Sequence, residues 1–172
     1  MSNLNNLLDE SHEAVTIASK GPLSYVEAVA HYLANRRDSL VAEFEKCTEF
    51  QADAVSNRIN ALTELAAAGG SSVPKKKWAR SKKPADDASK NVKVIHLSRV
   101  LTPPGWEEKV LPAYTALADT ALEKIIQKEQ VGYYLALLSE VRRFLRHLHT
   151  VDREAKTARA LEERRMKGLG YG

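Results

Sequence analysis

The sequence predicts a mainly α-helical, bundle-like protein with a central basic loop or short β-wing and a long C-terminal helix. Three observations point there. Aromatic residues make up only 6% of the chain, with 8 Gly and 6 Pro, poor provision for the many tight turns of a β-sandwich. Hydrophobic residues reach 44%, enough for a packed core and too many for wholesale disorder. Apolar side chains in the last third recur at helical intervals of three and four.

The elements follow in order. Residues 3–19 form an amphipathic stretch with Leu4, Leu7, Leu8 and Val15, ended by Gly21-Pro22. Ser24-Tyr-Val-Glu27 has the S-x-x-E spacing of a capping box and starts a helix reaching to Asn35. Asp38 is placed to N-cap the next helical run, and Thr48-Glu-Phe-Gln51 offers a second capping box inside that run. Two readings of residues 39–68 stand side by side. Either Leu40, Phe44, Cys47, Val55, Ile59, Leu62 and Ala66 line one long helix, or the chain breaks near Thr48. Gly69-Gly70 stops the helix in both.

Residues 92–97, Val-Lys-Val-Ile-His-Leu, alternate partly and are rich in β-branched side chains, so they read as a short strand. Thr102-Pro-Pro-Gly105 is a turn. Pro112 belongs in the first turn of a helix running to about Lys128, because a deeper proline would cost about 3 kcal/mol. Then Val131, Tyr134, Leu138, Val141, Leu145 and Leu148 form a heptad-like seam. Beyond Leu148 the seam positions become Asp152, Ala155 and Arg159, so the helix turns charged and exposed up to Lys167. Gly168, Gly170 and Gly172 read as a frayed tail.

Charge divides the chain more sharply than hydropathy does. The net charge of +4 combines a segment over residues 1–69 of net −5, one over 70–100 of net +7, and one over 101–172 of net +2. These are an acidic helical segment, a basic linker or wing with a short strand, and a helical hairpin with a charged last helix. The positive charge concentrates in Pro74-Lys-Lys-Lys-Trp-Ala-Arg-Ser-Lys-Lys83, flanked by Gly-Ser and Pro-Ala-Asp-Asp loop compositions.

Known catalytic constellations are missing from the sequence. His12, His31, His96, His147 and His149 are scattered, and the i,i+2 spacing of His147 and His149 turns their rings to different helix faces. They read as solvated side chains. There is no H-x-E with C-x-x-C, no G-x-S-x-G and no Walker lysine. Glu107-Glu108 and Asp86-Asp87 are adjacent acidic pairs in loop or helix-start positions. The expectation is a protein that is not an enzyme, with no metal and no cofactor. Cys47 is the single cysteine, which excludes an internal disulfide and fits a reducing compartment. No apolar run approaches the length of a membrane span. The opening Met-Ser-Asn-Leu-Asn-Asn does not read as a secretory leader. The expected location is the cytoplasm, or the nucleus in a eukaryotic host.

The basic segment carries the functional expectation. Lys75, Lys76, Lys77, Arg80, Lys82 and Lys83 suit a polyanion, since each neutralised phosphate releases condensed counterions, and Trp78 among them can stack on a base. The same run also resembles a monopartite nuclear localisation signal, and it reads equally as a solubilising linker. A second basic feature lies on the last helix. At about 100° per residue, Arg142, Arg146, His149, Arg153 and Lys156 fall in one stripe beside the apolar seam.

Asp53-Ala-Val-Ser-Asn-Arg-Ile-Asn-Ala-Leu-Thr-Glu-Leu65 followed by Gly69-Gly70 resembles the recognition helix of winged helix-turn-helix DNA-binding domains, of the multidrug-resistance repressor type. The resemblance spans residues 48–97. It implies that Ser56, Asn57 and Asn60 face bases, that Lys75, Lys76, Lys77 and Arg80 face phosphates or the minor groove, and that residues 92–97 supply the returning wing strand.

Together these features predict a non-enzymatic DNA- or RNA-binding accessory protein of the kind a phage or mobile element carries. The alternative is a helical structural or assembly subunit of a virion or multi-subunit complex. In that case a partner protein or a second copy docks on the seam of residues 131–148. Neither reading involves a membrane.

Overall fold

A computed structural model describes residues 24–71, 73 and 87–170. The amphipathic stretch at residues 3–19 and the basic run at 75–83 lie outside the described residues. Six helices follow: α1 (Tyr25–Phe44), α2 (Glu49–Ala68), α3 (Asp87–Leu101), the single turn α4 (Trp106–Lys109), α5 (Leu111–Ile126) and α6 (Val131–Gly168). There is no strand among the described residues.

Helix α1 begins at the capping box its sequence encodes. The Glu27 amide donates to Ser24 Oγ at 3.2 Å and the Ser24 amide donates to Glu27 Oε2 at 2.8 Å. The carboxylate therefore sits below its ordinary pKa, held there by the hydrogen bonds to Ser24. The helix does not stop at Asn35. It runs on to Phe44, and Asp38 lies inside it, paired with Arg37 at 2.9 Å rather than capping a new element. No glycine or proline interrupts residues 35–44, and the buried Leu40 extends the stripe of Leu33 and Arg36 by one turn.

Of the two readings for residues 39–68, the break near Thr48 is the one observed. Thr48 is the N-cap of α2 with extended dihedrals, φ −72° and ψ 161°, yet its hydroxyl makes no capping hydrogen bond. The second capping box is thus spaced correctly but not formed. At the other end the glycines act as expected. The Ser71 amide reaches the Ala66 carbonyl at 2.8 Å and the Gly70 amide the Ala67 carbonyl at 3.0 Å, with Gly70 left-handed at φ 65°. This is the Schellman arrangement. Gly69 is there for space: a Cβ would lie 2.5 Å from Tyr114 Oη.

The strand expected at residues 92–97 is helix. Lys93, Leu97, Ser98 and Leu101 are buried on α3, recurring at four, one and three, and Thr102 is buried just past its end. That is a helical rhythm which the local Val-x-Val alternation concealed. A β-wing is therefore not formed by these residues, because its returning strand would have to be α3. Of the loop and helix-start positions open to it, Asp87 takes the second and opens α3.

Pro112 lies in the first turn of α5, where its missing amide hydrogen costs nothing. Residues 127–130 then reverse the chain, with Lys128 and Gln130 both left-handed at φ 59° and 38°. Helix α6 spans 38 residues, about 57 Å of rod. It packs against α2, α3 and α5, and α1 packs on α2 and α3. One apolar core runs through all of these elements, from Val29 and Leu33 through Leu62 and Leu65 to Leu97, Tyr114, Phe144 and Val151.

The buried seam of α6 is rotated from the expected one. Leu137, Val141, Phe144, Leu148, Val151, Ala155 and Ala158 face inward. Of the predicted positions, Leu138, Val141 and Leu148 are buried, whereas Val131 is exposed. Past Ala158 the helix is exposed on nearly every position and charged, as its sequence suggests. Gly168 is the last helical residue.

Candidate nucleic-acid interface

The inward face of α6 fixes what its outward face can offer, and the key to that orientation is a buried carboxylate. Glu140 is 0% exposed, one turn before Phe144 on the core side. Arg36 from α1 grips it with two hydrogen bonds, Nε to Oε2 at 2.7 Å and a second guanidinium nitrogen to Oε1 at 2.8 Å. Arg58 from α2 adds Nε to Oε1 at 2.8 Å and reaches Glu43 at 3.5 Å. Burial pushes the Glu140 carboxyl up, but the two guanidinium groups outweigh it and hold the group ionised, below the usual carboxylate range. The network ties three helices at one level. Sequence reading missed it; the available signal was Glu140 falling within the arc of Leu137, Phe144 and Ala158 on a helical wheel.

Beside this network lies His147. The sequence suggested a solvated ring, and the structure shows the reverse. The ring lies tilted against Tyr32 with centroids 4.6 Å apart, and Nε2 is enclosed without a hydrogen-bond partner. Burial lowers its pKa to about 4. His149, two residues on, is exposed at its polar end but sets its ring edge-on to the buried Trp106 at 5.1 Å.

With the core side fixed, the outward face is basic. Arg142, Arg143, Arg146 and Arg153 are all exposed, and among the described residues none has an ion-pair partner. Lys156, in the same stripe, is held by Asp152 at 2.7 Å. Taking Val141 as zero at about 100° per residue, an arc from about 60° to about 200° contains only cations, hydroxyls, histidine and alanine over residues 139–160. They are Ser139, Arg142, Arg143, Arg146, His149, Thr150, Arg153, Lys156, Thr157 and Ala160. Carboxylates on this part of α6 fall outside the arc, at Glu140, Asp152 and Glu154. Arg143 was not among the expected site residues, because the stripe was drawn too narrowly. Leu135, Leu138, Ser139, Arg142 and Arg146 border an open groove of about 530 Å³ at its N-terminal end.

The remaining expected positions are dispersed. Lys75, Lys76, Lys77, Trp78, Arg80, Lys82 and Lys83 lie outside the described residues. On α2, Asn60 is exposed, and Ser56 and Asn57 are half-buried. Asn57 faces α6, where a Cβ added to Gly132 would lie 3.4 Å from its Nδ2. The expected trio is therefore not presented on one open face. A second cleft, of about 570 Å³, lies between the turn at residues 102–105 and α6, where Arg99, Lys156 and Arg159 alternate with Glu107, Glu108 and Asp152. Its mixed charge favours no single ligand.

Among the described residues no group of His, Cys, Asp and Glu is disposed to hold a metal ion. No described helix is long and apolar enough to cross a membrane. No family model matches the chain, and no curated protein or solved structure matches it either.

Proposed function

We propose that this chain is a non-enzymatic nucleic-acid-binding accessory protein that contacts the phosphate backbone. Two surfaces contribute, the basic run of residues 75–83 and the outward face of α6. The observation that carries the reading is the carboxylate-free arc of α6, with four exposed, unpaired arginines interleaved with hydroxyl side chains. Arginine and hydroxyl groups are the usual donors to phosphate oxygens. Acidic side chains elsewhere on the surface are no obstacle, because Debye screening confines their repulsion to about 8 Å at physiological salt.

A gel-shift titration across salt concentrations tests the reading. Each phosphate contact contributes about 0.9 to the slope of log affinity against log salt on a duplex, so binding weakens steeply as salt rises. Replacing Lys75, Lys76, Lys77, Lys82 and Lys83 together by alanine flattens that slope. Unchanged affinity and slope in that variant would remove the basic run from the interface.

A second reading has its own observation. Phe50 is 97% exposed, Ile126 78% and Leu135 51%, and large apolar side chains this open suit a partner surface. In that reading the chain is an assembly subunit, and a stoichiometric protein complex survives nuclease treatment.

A further inference from the structure

The outward face of α6 also bears on which form of nucleic acid it takes, an inference that rests on the reading above. We infer that the arc of α6 lies along a double-stranded nucleic acid rather than on a single strand.

Three features of the face favour a duplex. The first is rigidity. Residues 139–160 lie within one uninterrupted helix, so the arc is a straight strip of about 33 Å. A duplex presents a fixed row of phosphates over a helical turn of about 34 Å, whereas a single strand has to be straightened to meet the same strip. The second is the lack of stacking platforms. Sequence-tolerant single-strand binding draws its affinity from bases stacked on exposed aromatic rings. The arc has no Phe, Trp or Tyr, and its one aromatic side chain, His149, is engaged edge-on with Trp106. Third, the exposed donors match the backbone. Arg142, Arg146 and Arg153 follow one line along the rod, with Ser139 and Thr150 beside them. Position-fixing contacts to phosphates use this donor set.

Such a contact is held by the rod itself, so it needs no rearrangement of the core. Glu140, held by Arg36 and Arg58, anchors the opposite side of the rod at the N-terminal end of the arginine row, near Arg142.

The test uses the full chain and competition between a duplex of about two helical turns and each of its strands, in DNA and in RNA form. The wild-type protein binds duplex more tightly than either strand. Arg142→Gln, Arg146→Gln and Arg153→Gln combined flatten the duplex salt slope by about 2.7, at 0.9 per lost phosphate contact, and erase the preference. The matching triple lysine variant, which keeps the charges, retains it. Circular dichroism confirms the helix content of both variants. Equal binding of strands and duplex by the wild type overturns the inference while leaving the nucleic-acid reading intact. So does a preference that survives the glutamine variant. If the wild-type protein binds no nucleic acid in any form, both fall. Preference for DNA or for RNA duplex then identifies which of the two presents the phosphates.

Discussion

Two sets of arginines sit on opposite sides of the same turns of α6, and their surroundings give them opposite tasks. Arg36 and Arg58 reach α6 from α1 and α2 and close on the buried Glu140, Arg36 from within the core and Arg58 from its half-buried rim. Arg142, Arg143, Arg146 and Arg153 project from α6 itself into solvent, and none of them has an ion-pair partner among the described residues. The side chain is identical in the two sets. What differs is whether the charge is already compensated. A buried guanidinium must be paired, because desolvating an unpaired ion costs several kcal/mol. An exposed one needs no partner in the chain and is available to a ligand. The inner set thus contributes to the architecture, and the outer set to what the architecture can bind.

The most direct way to break the comparison is to remove the shared carboxylate. Glu140→Ala leaves Arg36 buried and unpaired, and the expected loss is about 3–5 kcal/mol. Urea denaturation followed by circular dichroism measures it. A loss below about 1 kcal/mol would show that the network contributes little net stability. Replacing Arg36, Arg58 and Glu140 together by apolar residues of similar size should cost far less than the single change.

Acid probes the same region without mutation. His147 has a folded pKa of about 4, below its unfolded value of 6.5. As pH falls through 6.5 the unfolded state takes up the proton first, so stability is full above 6.5 and declines down to about 4. The integrated loss is about 3.5 kcal/mol, at about 1.4 kcal/mol per pKa unit. His147→Phe should abolish the decline between pH 6.5 and 5 in a series of melts. Glu140 acts only lower: its folded pKa lies below the usual value, so its share is lost as pH falls beneath about 4.5.

Smaller changes sharpen the contrast. Ser24→Ala removes one half of the capping box and should cost about 1 kcal/mol, seen as a lower urea midpoint with an unchanged slope. Smallest of all, Arg142→Gln, Arg146→Gln and Arg153→Gln taken singly should move stability by no more than about 0.5 kcal/mol. A larger shift in thermal melts would mean that these side chains have a structural role after all, and the division between inner and outer arginines would fail.

Several parts of this organisation were legible in the residues. The Ser24-Glu27 spacing marked the start of α1, Pro112 the start of α5, and Gly69-Gly70 the end of α2, because caps and breakers act within one turn of chain. Helical character and the charged outer end of α6 followed from periodicity over many residues. Other features were hidden. Residues 92–97 contain both a strand-like alternation and the helical spacing of Lys93, Leu97 and Leu101, and only packing against α6 selects between them. The expected seam of α6 shares Leu138, Val141 and Leu148 with the buried one but leans to one side, since Tyr134 and Leu145 extend the apolar band there and neighbouring helices decide which edge is covered. Asp38 has capping chemistry but lies inside a continuous helix, whereas Thr48 does stand at the N-cap of α2 and only its hydroxyl goes unused.

The sequence by itself determined a helical chain, its strongest stops and starts, and the uneven distribution of its charge, because these depend on local chemistry and on counting. Tertiary structure alone decided that Glu140 is buried and the His147 Nε2 enclosed, that Arg36 and Arg58 are engaged, and that Arg142, Arg143, Arg146 and Arg153 are left without an ion-pair partner among the described residues. The pairing partners lie 104 and 82 residues apart, so the state of each charge was set by which helices pack together.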